Sequence, residues 1–127
     1  MEFDHRLREC VENELIGLCI TPDYRGYRYL CMAIELTMEH EELLYRITTS
    51  LYGEIARETG TTAANVERGI RTAITVMWNE ADAAKLREVM GRTYHTPPSN
   101  AKFIGIMSRR ILYKYAVELQ RPLNKDV

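Results

Sequence analysis

Residues 51–78, LYGEIARETGTTAANVERGIRTAITVMW, read as a short helix, a tight turn and a longer helix. Gly60 is placed to stop the first helix, and the hydroxyls of Thr61 and Thr62 are placed to cap the next. At about 100° per residue, Val66, Ile70, Ala73, Ile74 and Met77 fall within roughly one third of the second helix's circumference. Ala64, Arg68, Arg71 and Thr75 fall on the opposite side, with Glu67 at its margin. Gly69 lies beside the apolar stripe, where a missing side chain lets another helix come close. A helix-turn-helix of this kind braces its second helix with the first and lays the second in the major groove of DNA. Small neighbours such as Ala64 and Thr75 would let the helix sit deep there. Arginine could then fork onto guanine O6 and N7, and glutamate could accept from a cytosine amino group.

Outward from this stretch the helical period continues, and strand alternation is almost absent. Phe3, Leu7, Cys10, Val11, Leu15 and Leu18 predict a first amphipathic helix, broken at Thr21-Pro22-Asp23. Tyr27, Leu30, Cys31, Ile34 and Met38 predict a second, from about Gly26 to Glu39. Leu43, Leu44 and Ile47 suggest a short third helix and Leu51 to Glu58 a fourth, before the long fifth. A sixth is expected from about Glu80 to Met90, ending at Gly91, and a last from about Ser99 to Gln120, ended by Arg121-Pro122. The 127 residues suit one all-α domain with the helix-turn-helix at its centre.

The net charge of -1 decides nothing, but its distribution is uneven. From Glu35 to Glu58 six acids face two bases, whereas Arg92, Lys102, Arg109, Arg110 and Lys114 are five bases in a stretch with no acid. Such a split would let one side of the protein approach phosphates. Ser99 and Asn100, at a predicted helix start, offer free amides and a positive dipole end to a phosphate.

Catalysis and metal binding find no support. His5, His40 and His95 lie in separate segments without metal-ligand spacing, so neither metal nor cofactor is expected. Glu41 and Glu42 are adjacent on a helix and point apart. No nucleophile elbow or glycine-rich phosphate loop is present. Three cysteines without a CxxC pair read as reduced thiols in helices, hence a cytoplasmic protein. No apolar run approaches the roughly 20 residues that span a membrane.

GYRYLCMAIELT (26–37), the opening stretch (51–78) and PSNAKFIGIMSRRI (98–111) together resemble the C-terminal effector domain of the stage-zero sporulation protein A family. These are response-regulator transcription factors of spore-forming Firmicutes, and the likeness runs from about Glu9 to Leu112. It implies an all-α domain that binds double-stranded DNA at short boxes, in head-to-tail pairs on tandem sites, and that touches the RNA polymerase sigma factor. By motif position Glu67, Arg68 and Arg71 correspond to base readers, and Asn100 to a phosphate-side contact. Trp78 to Gly91 would face sigma factor. Thr61, Thr62, Asn65, Asn100 and Lys102 are the expected backbone-positioning set.

The chain departs from the family pattern at several positions. Ala64-Asn65 stand where Ser-Arg is usual, Thr72 replaces a histidine, Ser99 a threonine and Lys102 an acid. The base-reading set is kept while its phosphate clamps are altered. Phosphorylation control in the family needs a receiver domain, and this sequence starts directly with the effector's first helix. That start fits an excised domain or a free-standing relative. A protein-interaction module that kept the fold and lost productive DNA binding is the alternative reading.

Overall fold

The computed structural model describes residues 5–119, and the regular elements among them are all helical. They are α1 (His5–Ile16), α2 (Arg25–Glu39), a 3₁₀ segment (Glu41–Arg46), a π turn (Ile47–Leu51), α3 (Tyr52–Thr59), α4 (Ala63–Glu80), α5 (Ala83–Met90) and α6 (Asn100–Leu119). The all-α expectation holds. Phe3 and the predicted stop at Gln120 to Pro122 lie outside the described residues.

α2 is the hub, packing on α4 and α6 and also against α1 and α3. Its inner residues Leu30, Ala33 and Ile34 are fully buried, as are Leu15 of α1, Ile55 of α3, Ile70 of α4 and Phe103 and Ile104 of α6. Each large apolar side chain so buried contributes about 1.5–3 kcal/mol. On α4 the buried set is Val66, Ile70, Ala73, Ile74 and Met77, the stripe the helical period predicts.

α2 and α4 approach most closely where Gly26 meets Gly69. A Cβ at Gly26 would lie 2.2 Å from the Gly69 carbonyl oxygen, and one at Gly69 would lie 3.0 Å from the Tyr29 ring. The expected close approach at Gly69 is therefore real, and its partner is another glycine. This crossing fixes the first turn of α2 against the middle of α4.

The chain differs from the periodic reading in three places. α1 stops at Ile16, two residues before the buried Leu18. Ile20 N–H donates to Leu15 O at 3.0 Å and Cys19 N–H to Ile16 O at 2.9 Å, a Schellman closure with Cys19 at φ +69°. Cys19 thus occupies a left-handed turn position, not a helix. Residues 41–51 form tighter and wider turns where one short α-helix was expected, while the fourth helix, expected from Leu51 to Glu58, is present as α3. Tyr52 N–H reaches back to Ile47 O, and the extra residue in that turn rotates the chain so that Leu51 and Tyr52 both enter the core. Finally, α4 runs on to Glu80, and α5 starts only at Ala83, where the Asp82 carboxylate accepts from Lys85 N–H at 3.0 Å.

Candidate nucleic-acid interface

The α3–turn–α4 unit is built by local hydrogen bonds. Gly60 takes φ +72°, a left-handed conformation that ends α3 and that glycine adopts without a Cβ penalty. Its N–H and that of Thr61 both donate to Ala56 O, which closes the helix end. Thr62 is extended, and its hydroxyl accepts from Asn65 N–H at 3.1 Å as the N-cap of α4. The Asn65 side-chain amide donates to the Thr61 hydroxyl at 2.9 Å and its oxygen accepts from Arg68. Thr61, Thr62, Asn65 and Arg68 thus form one polar chain along the entry of α4.

One turn further on, Arg71 forms an ion pair with Glu67. The Arg71 side chain keeps 60% of its exposure, so the pair sits in high dielectric and is worth about 0.2–1 kcal/mol. Both arginines are therefore held by light local contacts on an outward face. Swinging either onto a ligand has a low cost, and Glu67 meanwhile limits the conformers open to Arg71.

The exposed ridge of α4 runs between two shallow depressions. Arg71, Glu67 and Thr75 border one, whose far wall is the segment Pro97 to Ala101. Arg68, Asn65 and Thr72 border the other, whose far wall is Arg25 and Tyr29 of α2. A helix about 10–12 Å across is flanked in this way on both sides.

Asn100 lies beside the outward face of α4, and its side chain acts as a brace. Its amide nitrogen donates to Glu67 O at 3.1 Å and to the Tyr52 hydroxyl at 2.9 Å. A carbonyl only accepts, so the nitrogen must point inward, and both of its N–H groups are occupied. Tyr52 is buried, which pushes its phenol up, while the Asn100 bond and Arg71 pull the other way. Ser99 caps α6 by accepting from Lys102 N–H at 3.1 Å, and the Lys102 side chain is exposed at the same corner.

The basic block from Arg92 to Lys114 does not form one phosphate-facing side. Arg110 pairs with Glu14 and Glu88, Lys114 with Glu14, and Arg109 with Glu41. Arg92 stacks over the Tyr94 ring at 4.8 Å. Acids distant in sequence neutralise bases that look free in it, which leaves Lys102, exposed in the first turn of α6, as the cation of this block with neither an acid nor a ring partner among the described residues.

Two residues at the site were missed in the sequence. Tyr52 gives no outward signal, since its partner is forty-eight positions away. Arg25 carries a weak one, because a cation in the first turn of a helix opposes the dipole. Among the described residues no group of three His, Cys, Asp or Glu could hold a metal ion, and no helix is long and apolar enough to cross a membrane.

With this geometry in place, comparison with protein families gives a match to the sporulation initiation factor Spo0A C terminal family over residues 11–111. The chain belongs to that family. Membership indicates a DNA-binding domain of a sporulation initiation factor, a regulatory and not an enzymatic family.

Proposed function

From membership of that family, we propose that this chain is a sequence-specific, cytoplasmic transcription regulator that reads DNA with α4 in the major groove. The observation that carries the reading is the narrow outward face of α4, with Arg68 and Arg71 on a ridge between two depressions. Arg68 and Arg71 contact base edges, and Glu67 sets the approach of Arg71 through their ion pair. Thr61, Thr62 and Asn65 position the entry of α4 on one strand. The backbone amides at Ser99 and Asn100, with Lys102, serve the other. Two copies bind head-to-tail on tandem boxes.

The surface from Trp78 to Gly91 is the proposed contact for sigma factor. A cleft of about 290 Å³ there, lined by Trp78, Leu86, Met90 and Tyr94 among others, has the apolar character to take a partner side chain.

The test is Arg68→Ala, measured by electrophoretic titration on a selected site and on random duplex. A loss of about 1–3 kcal/mol on the selected site, with far less on random DNA, is expected. Equal losses would reduce Arg68 to a phosphate contact. No binding of the unaltered protein to any duplex at low salt would favour the protein-interaction module instead.

A further inference from the structure

The depression on the Arg68 side of α4 has a cation on its outer wall that belongs to neither the turn nor the recognition helix. Arg25 stands in the first turn of α2, exposed, with Tyr29, Asn65, Arg68, Gly69 and Thr72 lining the rest. No acid lines this depression. The Arg25 guanidinium makes no ion pair among the described residues, in contrast with Arg71, Arg109 and Arg110. We propose that Arg25 is a phosphate-binding residue, gripping the DNA backbone strand that borders α4 on the side opposite Ser99 and Lys102.

The argument is geometric and rests on the reading of α4 as a major-groove helix. The major groove is about 12 Å wide, so a helix seated in it has a phosphate strand along each flank. On the Arg71 flank the wall facing the strand is the start of α6. On the Arg68 flank that wall is the start of α2, and Arg25 is the cation it presents. The position of Arg25 relative to Arg68 is rigidly set. Gly26, its neighbour, is in backbone contact with Gly69, one residue beyond Arg68. Tyr29, one turn further on, packs its ring against the same glycine. A cation carried on so fixed a turn approaches phosphate with little ordering cost. It adds grip without adding base preference.

The experiment is a salt titration of duplex binding by Arg25→Gln, Arg25→Lys and the control Arg109→Gln, each against the unaltered protein. Circular dichroism confirms that each is folded. For Arg25→Gln the log–log salt slope should shrink by about 0.9, the contribution of one phosphate. Affinity should drop by a similar factor on selected and random DNA, leaving their ratio unchanged. Arg25→Lys should keep the slope, and Arg109→Gln should match the unaltered protein.

A slope unchanged in Arg25→Gln, in a protein that binds its site, overturns the assignment and leaves α4's role standing. An equal fall in Arg109→Gln also overturns it, since net charge alone would then account for the effect. Failure of the unaltered protein to bind any duplex removes the α4 reading and this inference together.

Discussion

At the residue scale, the two arginines of α4 are held differently, and the difference predicts different behaviour. Arg68 is tethered to Asn65, a neutral amide that is itself held by the cap of α4. Arg71 is tethered to Glu67, a carboxylate on the face that would meet phosphates. If α4 faces DNA as proposed, Glu67 does two opposing things there. It restricts Arg71, which favours discrimination, and it repels the backbone, which lowers affinity everywhere. Glu67→Gln removes the charge while keeping side-chain length and an acceptor. The expected result is tighter binding to random duplex together with a selected-to-random ratio reduced by about 1–2 kcal/mol. Parallel titrations on the two duplexes read both quantities. An unchanged ratio would mean that Glu67 neither reads a base nor orients Arg71.

At the scale of elements, the crossing of α2 and α4 decides where α4 sits, and its two glycines are not equivalent. A methyl at Gly26 would meet backbone, the Gly69 carbonyl at 2.2 Å, as well as the Ala73 Cβ at 2.8 Å. Neither can yield without parting the helices. A methyl at Gly69 would press on the Tyr29 ring edge at 3.0 Å, a side chain that needs to give a few tenths of an ångström, and would meet the Gly26 Cα at an ordinary 3.8 Å. Gly26→Ala should cost about 1–3 kcal/mol in denaturant unfolding, even after the helix-propensity gain of about 0.8–1 kcal/mol. Gly69→Ala should be near neutral for the same reason. Equal costs would show that the crossing is held elsewhere. This crossing also marks the limit of what was legible in the chain. The stripe from Val66 to Met77, the cap at Thr62, the stop at Gly60 and the tolerance for close approach at Gly69 are local, and periodicity and cap chemistry exposed them. That Gly69 meets Gly26, that Arg25 borders Arg68 and that Asn100 braces Tyr52 are long-range facts with no local signature. The short helix expected around Leu43, Leu44 and Ile47 failed for another reason. Leu43, Leu44, Ile47 and Leu51 carry the right apolar content for helices, but the change of turn width comes from how they must reach the core.

For the whole molecule, a polar clasp joins the first and last helices. Glu14 of α1 accepts from Arg110 at 2.8 Å and from Lys114 at 2.7 Å, both on α6, and Arg110 reaches on to Glu88 of α5 at 3.3 Å. Glu14 and Arg110 keep only 10% and 18% of their side-chain exposure. Burial alone would raise Glu14, but the hydrogen bonds from Lys114 and Arg110 and their charges outweigh it, and its carboxyl lies below the usual value of 4.5. The sign follows from linkage. A carboxyl depressed on folding contributes stability that is fully present above its unfolded value and is lost as pH falls through its folded value. Glu35 of α2 opposes this. Burial raises it despite the Arg8 guanidinium at 3.3 Å, so its ionisation costs stability, and acid relieves that cost. On the acid side these two partly buried carboxyls pull in opposite directions, and removing Glu14 alone should unbalance them. Glu14→Gln is expected to lose about 1–3 kcal/mol near neutrality, less than a fully buried pair because Lys114 is half-exposed and Arg110 retains Glu88. Below pH 4.5 the gap between the two proteins should close, as the unaltered Glu14 takes up its proton. Urea unfolding from pH 7 to pH 3 measures the gap directly. A gap constant across that range would show that Glu14 contributes through packing and not through its charge.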